Sequence, residues 1–248
     1  MTRRTFLAAP LVAQGGTVVL LDAETGRVLN GTTAGVLARP GSTLKPFTLL
    51  TLLESGRRPG TLVCEGKVAV GDRRFDCTHP VISRTFGAEE ALAYSCNSWF
   101  TRMALRLDAG ALYRRLRGMG FGTEGEVEEV RSAEAVQMQA MGEAGIRVTP
   151  LELARAYRKL AVLRKEKELG PLFAGLEGAV RYGTAQAAAV RGVSVAGKTG
   201  TGDGAWFAGY APAEDARVVV VVHLPQGRGG ADAAPLAAEV LGTWFARN

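Results

Sequence analysis

The feature that most constrains this chain is the way its β-forming segments are divided between its two ends. Near the C-terminus, Val218 to Val222 form the longest purely apolar run of the sequence, inside "ARVVVVVHL". It falls far short of the roughly 18 residues a membrane-spanning helix needs, and a run of β-branched residues has the length and composition of a strand. "VSVAGKTGT" and "AWFAGYAP" precede it as two more β-runs, separated by Gly-rich or Pro-containing turns. At the other end, "GGTVVLLDAETGRVLNGTT" reads as two β-runs joined at the turn "AETG". Strands at both ends imply an α/β (α+β) chain with one antiparallel five-stranded sheet assembled from residues 15–35 and 190–248. The residues between, about 40–190, are left to form an all-helical lobe against it.

The middle of the chain supports that division. "STLKPFTLLTLLESG" carries an apolar stripe and stops at Gly56; "AEEALAYSCNSWFTRMALRL", "GALYRRLRGMGF" and "PLFAGLEGAVRYGTAQAAAV" read as further helical stretches. "VTPLELARAYRKLAVL" has Thr149 as N-cap, Pro150 at the first helical position and Glu152 three residues after the cap, which is a capping box. "AAPLAAEVLGTWFARN" closes the chain as an amphipathic helix. Neither an internal repeat nor a low-complexity linker separates these parts, so residues 15–248 read as one domain.

Composition narrows the function. The net charge of +6 raises nucleic acid as a partner, but the densest basic run, residues 155–170, spreads its cations around a helix and includes Glu166 and Glu168. That pattern is a solvated helix face, and no nucleic-acid partner is expected. The first 14 residues, "MTRRTFLAAPLVAQ", have two arginines, then Phe6 and Leu7, then a short apolar segment ending in small residues. This is the arrangement of a twin-arginine export signal and predicts a periplasmic or otherwise extracytoplasmic protein without an integral membrane span. Cys64 and Cys77 flank "EGKVAVGDRRFD", which alternates around Gly71-Asp72 as a hairpin does, so the two thiols face each other across its base. In an exported protein that favours a disulfide; free thiols, or a zinc site with His79 and a fourth ligand, are the alternatives.

The chain has two histidines, His79 and His223, and neither lies in a G-x-S-x-G or H-E-x-x-H setting, so neither Ser-His-Asp chemistry nor a catalytic metal is expected. Residues 192–199, "GVSVAGKT", match the phosphate-loop pattern literally. The residues after Lys198, "TGTGDGAWFAGY", have no helical period, and a phosphate loop works only where it opens a helix.

Three other stretches carry chemistry. In "GSTLKPF", Ser42 and Lys45 are one turn apart at a helix start, on one face, with Leu44, Pro46 and Phe47 as apolar neighbours. A desolvated lysine can replace histidine as a base, because burial lowers an ammonium pKa. In "YSCNSWF", Ser95 supplies a hydroxyl able to relay a proton and Asn97 an amide able to hold a peptide group. In "AGKTGT", Lys198, Thr199, Gly200 and Thr201 line a strand edge suited to a carboxylate-ended peptide. Each stretch alone has an ordinary structural explanation: a helix start, a polar patch on a helix, a strand edge.

Taken together in the order S-x-x-K, S-x-N, K-T-G, with "VTPLELARAY" and the "GTA" of residues 183–185, they resemble the penicillin-binding protein transpeptidases and serine β-lactamases. The resemblance covers nearly all of residues 15–248. It implies a serine D,D-transpeptidase or D,D-carboxypeptidase of peptidoglycan: Ser42 the nucleophile, Lys45 its base, Ser95 the proton shuttle, Asn97 a peptide ligand. Lys198, Thr199, Gly200 and Thr201 would bind the terminal carboxylate of a stem peptide or a β-lactam. The backbone N–H groups of Ser42 and Thr201 would form the oxyanion hole. It implies no cofactor, and partners among cell-wall synthesis proteins. A class D-like β-lactamase and a non-catalytic penicillin-binding sensor module share the motif set. No E-x-x-x-N of the class A type occurs between the second and third motifs.

Overall fold

The structure, a computed structural model, describes residues 16–31, 36–57, 59–80 and 85–248; residues 1–14, read above as an export signal, lie outside them. Strand β1 (Thr17–Asp22) turns back into β2 (Val28–Asn30), and the turn is fixed by Asp22 Oδ1, which accepts from the Thr25 backbone N–H and hydroxyl, both at 2.8 Å. The C-terminal strands are β7 (Ala196–Gly202), β8 (Gly204–Ala211) and β9 (Val218–Leu224). All pairing is antiparallel in the order β2-β1-β9-β8-β7, with Val19 opposite Val221 and Phe207 opposite Val222. The sheet expected from the two chain ends is therefore present, and the last strand of the sequence joins the two halves.

The valine run explains itself in this sheet. Val219 and Val221 face one core with Val19, Leu21, Trp206 and Tyr210, while Val218, Val220 and Val222 face another with Val18, Leu20 and Phe207. Both faces are covered by helices, so every side chain of the strand is buried and no alternation survives in the sequence. Each fully buried valine contributes roughly 1.5–3 kcal/mol relative to exposure.

The first core belongs to the helical lobe: α1 (Lys45–Glu54), α2 (Ala88–Ala93), α3 (Asn97–Ala104), α4 (Ala111–Met119), α5 (Ala133–Ala140) and α6 (Pro150–Val162). Helix α7 (Gly170–Arg181) touches both cores, and α8 (Ala234–Phe245) covers the other sheet face with Ala237, Leu241 and Trp244. The hairpin of β3 (Lys67–Val70) and β4 (Arg73–Asp76) forms as the alternation predicts. A two-residue pairing of β5 (Glu126–Val127) with β6 (Ile146–Arg147), and helix α5, are not anticipated by the sequence patterns.

Two local expectations are corrected. The stretch from Ala88 to Leu107 is not one helix: α2 ends in a Schellman motif, in which Ser95 N–H donates to Leu92 O and Cys96 N–H to Ala91 O. Ser95 sits at φ +57°, a left-handed conformation that usually falls to glycine. At α6, Thr149 Oγ1 accepts from the Glu152 N–H at 3.1 Å as predicted, but the Glu152 carboxylate does not return to the cap. It accepts instead from the backbone N–H groups of Thr123 (2.9 Å) and Glu124 (3.3 Å), tying down the loop after α4.

Candidate active site

Ser42 lies in a single 3-10 turn (Gly41–Leu44) that runs straight into α1. Pro40 occupies the cap position, so Ser42 is not an N-cap: it is the half-buried residue of a turn whose neighbours Gly41, Thr43 and Leu44 are buried. This turn is held from three sides. The Gly41 N–H donates to Gly142 O, the Tyr157 hydroxyl of α6 donates to Thr43 O at 2.8 Å, and the Arg39 guanidinium binds Asp203 beyond the end of β7.

Lys45 is fully buried one turn on. Its Nζ donates to Asn97 Oδ1 at 2.6 Å and to Ser95 O at 2.8 Å, lies 3.2 Å from Ser95 Oγ, and stands 5.3 Å from the centre of the Phe100 ring. Burial lowers its pKa to about 8. The break between α2 and α3 makes these contacts: the left-handed residue turns both the Ser95 carbonyl and its hydroxyl toward Lys45. Asn97 then starts α3 and donates through Nδ2 to Asp76 O of the hairpin at 2.9 Å.

Lys198 in β7 is also fully buried, with Nζ donating to Thr199 O at 3.0 Å. Burial and the nearby positive charge of Lys45 push its pKa well down. The strand continues into Thr199, Gly200 and Thr201 beside the Ser42 turn. A Cβ on Gly200 would lie 2.5 Å from Pro40 O and 3.0 Å from Thr43 N, so only glycine lets β7 approach this closely. No helix opens after Lys198, and the phosphate-loop match at 192–199 has no structural basis: β7 turns directly into β8.

These pieces enclose a cleft of about 600 Å³ lined by Ser42, Ser95, Asn97, Thr199, Gly200 and Thr201, and both lysines are buried next to lining residues. The three motifs, separated widely in sequence, therefore meet at one place. Other lining residues were not singled out as functional from sequence. Thr184, whose hydroxyl lies 2.8 Å from that of Thr199, comes from the "GTA" stretch. Arg74, Phe75 and Asp76 come from the cysteine-flanked hairpin, and Arg228 to Ala231 from the turn before α8. Among these only "GTA" carried a signal.

The cysteines are arranged differently from the expected disulfide. Cys64 and Cys77 approach each other at the hairpin base, but both are free thiols, as is Cys96. The ligand atoms of Cys64, Cys77, His79 and Cys96 all lie within 4.8 Å of one another. The fourth side chain of this cluster, which the hairpin alone does not supply, is the middle residue of the Ser95-Cys96-Asn97 motif.

Comparison with known proteins agrees with this geometry. The pattern of the penicillin binding protein transpeptidase domain matches residues 16–242. The peptidoglycan D,D-transpeptidase PbpA of Mycolicibacterium smegmatis is 26% identical over 259 residues, covering 79% of this chain and 53% of the relative. Penicillin-binding protein 1A of Neisseria cinerea is 28% identical over 269 residues, covering 87% of this chain and 33% of the relative. The chain thus spans about half or a third of the length of these relatives. In structure it is similar to the D,D-transpeptidase domain of a peptidoglycan glycosyltransferase from Eggerthella lenta, with TM-score 0.80 and 22% identity over 97% of this chain and 80% of that one. PBP2 from Helicobacter pylori superposes with TM-score 0.83 at 18% identity, over 97% of this chain and 61% of that one. With its fold, its three converging motifs and a family pattern spanning nearly its whole length, the chain belongs to the penicillin-binding protein transpeptidase domain family.

Proposed function

We propose that this chain is a penicillin-binding serine acyltransferase that cleaves the terminal D-Ala-D-Ala bond of peptidoglycan stem peptides, as a D,D-transpeptidase or D,D-carboxypeptidase. The observation that carries the reading is Lys45. It is fully buried one turn on from Ser42, has no carboxylate hydrogen-bonded to it among the described residues, and is held by Ser95 and Asn97, which line the cleft. A lysine so desolvated is neutral in a useful fraction of molecules near neutral pH and can accept the Ser42 proton.

In this reading Ser42 Oγ attacks the penultimate carbonyl and its proton passes to Lys45. The new C–O bond forms, the C–N bond breaks, and Ser95 relays the proton to the departing amine. The N–H groups of Ser42 and Thr201 stabilise the oxyanion, and removal of one such donor typically costs on the order of a hundredfold in rate. Asn97 binds the peptide amide. Lys198, Thr199, Gly200 and Thr201 receive the terminal carboxylate, whose negative charge favours the ammonium form that burial disfavours in Lys198. The acyl group then moves to an acceptor amine or to water. Residues 15–248 act as one catalytic unit, and residues 1–14 serve as a twin-arginine signal that delivers it to the cell wall.

Glu143 lines the cleft but is engaged by Arg73 at 2.9 Å, which favours a slowly hydrolysed acyl-enzyme over a β-lactamase. A fluorescent penicillin should label the chain covalently and Ser42→Ala should abolish labelling. Absence of label on the parent chain refutes the proposal, and rapid turnover of nitrocefin replaces it with the lactamase reading.

A further inference from the structure

We propose that Cys64, Cys77, His79 and Cys96 form a closed tetrahedral zinc(II) site that fastens the β3-β4 hairpin to the Ser95-Cys96-Asn97 motif. The donors come from three places: Cys64 before the hairpin, Cys77 and His79 after it, and Cys96 at the start of α3. Their ligand atoms lie within 4.8 Å of one another, with Cys64, His79 and Cys96 buried and Cys77 half-buried. A tetrahedron with zinc–sulfur bonds of about 2.3 Å has edges of roughly 3.8 Å, so only small side-chain shifts close the shell. Three sulfurs and one imidazole with no open position make a structural rather than a catalytic centre, and suit zinc better than a hard cation.

His79 is prepared for this role. Its Nδ1 lies 3.0 Å from Pro80 O, which can only accept, so the proton sits on Nδ1 and the lone pair on Nε2. Nε2 is buried and has no hydrogen-bond partner among the described residues. A buried, unpartnered nitrogen on an imidazole that belongs to the thiol cluster is costly in a bare protein and is satisfied by a metal bond. Polar groups stand close to two of the sulfurs. The Gly66 N–H donates to Cys64 Sγ at 3.3 Å, the Cys64 thiol donates to the Ser98 hydroxyl at 3.6 Å, and Cys77 Sγ lies 3.6 Å from that same hydroxyl. Cys96 occupies the N-cap of α3, so its backbone is fixed by the start of that helix. Three thiolates and one zinc leave a single net negative charge, offset in part by the buried Lys45 nearby.

The site lies directly behind the catalytic motif, since Cys96 separates the two residues that hold Lys45. Its metal would fix the backbone on which those contacts depend, and would hold the hairpin that forms one wall of the cleft.

The test is metal binding by the full chain, purified under reductant. One zinc per chain should survive gel filtration. Replacement by cobalt(II) should give the intense visible bands of a tetrahedral ion and a sulfur-to-cobalt charge-transfer band. Cys64→Ser and His79→Ala should each weaken cobalt binding by more than about tenfold. Because a ligand variant can fail to fold, Ser98→Ala serves as the milder probe: it keeps the four donors and should shift the charge-transfer band. Substoichiometric zinc together with a cobalt spectrum lacking the charge-transfer band would overturn the proposal, as would a Cys64–Cys77 disulfide in peptide maps of the exported protein. None of these readouts passes through Ser42, so they stand or fall separately from penicillin labelling.

Discussion

The Arg39 guanidinium holds one oxygen of Asp203 through Nη2 at 2.6 Å and Nε at 2.8 Å, while the Arg39 backbone N–H donates to the other oxygen at 2.9 Å. Arg39 ends the segment that delivers Ser42, and Asp203 forms the turn between β7 and β8. One ion pair thus sets the spacing between the proposed nucleophile and the proposed carboxylate-binding strand.

Arg39→Ala should therefore act more on geometry than on stability. Both side chains are about a third exposed, at 38% and 33%, so solvent screening limits the loss to about 1 kcal/mol. Chemical denaturation should show that small change, while the rate of penicillin labelling falls several-fold. The hydrogen bonds from Arg39 hold the Asp203 pKa down, so this contribution is present above the ordinary carboxylate range and is lost as pH falls through the lowered value. An unchanged labelling rate would show that the pair does not position Ser42.

Lys45 predicts the pH profile. If it is the base, the second-order acylation rate rises about tenfold per pH unit and levels off near its pKa of about 8. Lys45→Arg keeps the charge but cannot lose its proton, and should label very slowly at every pH. Stability carries the same signature with its own sign. Below about 8 the buried ammonium is charged in folded and unfolded states alike, and its penalty is constant. Between about 8 and the ordinary value of 10.5 the unfolded chain binds more protons, so this group's contribution to stability rises with pH. A flat acylation profile from pH 6 to 9 would remove Lys45 from the base role.

Ser95 trades stability for placement. A left-handed non-glycine residue costs roughly 1–2 kcal/mol. Ser95→Gly should raise the melting temperature by a few degrees, corresponding to about 1 kcal/mol, while slowing acylation through loss of the hydroxyl. A variant that is both less stable and fully active would contradict this account of the α2-α3 break.

Gly200 tests the closeness of β7 to the Ser42 turn. Gly200→Ala places a methyl group 2.5 Å from Pro40 O and 2.9 Å from Thr43 Cγ2. One side must move, at a cost of roughly 1–3 kcal/mol. Denaturation midpoints should fall accordingly and labelling should drop by an order of magnitude or more; labelling at the parent rate would mean that the two elements separate without consequence.

The amino-acid sequence by itself determined the five strands and their division between the chain ends. Turn residues, β-branched runs and the Thr149-Pro150 cap act over short distances, and their signals survive whatever surrounds them. It also carried the three motifs, because a nucleophile beside a lysine, an S-x-N and a K-T-G are local patterns. The tertiary structure alone decided which atoms meet. Helical periodicity continued through Ser95, but the partner that makes a left-handed break useful there is Lys45, fifty residues away. Glu152 had the sequence of a capping box, yet nearby backbone donors after α4 took its carboxylate. Cys96 gave no sign of belonging with Cys64, Cys77 and His79, since ligand spacing is legible only when donors share a turn. Local preference is written in neighbouring residues; burial, which moves the lysine pKa values and gathers the four donors, exists only once distant segments pack.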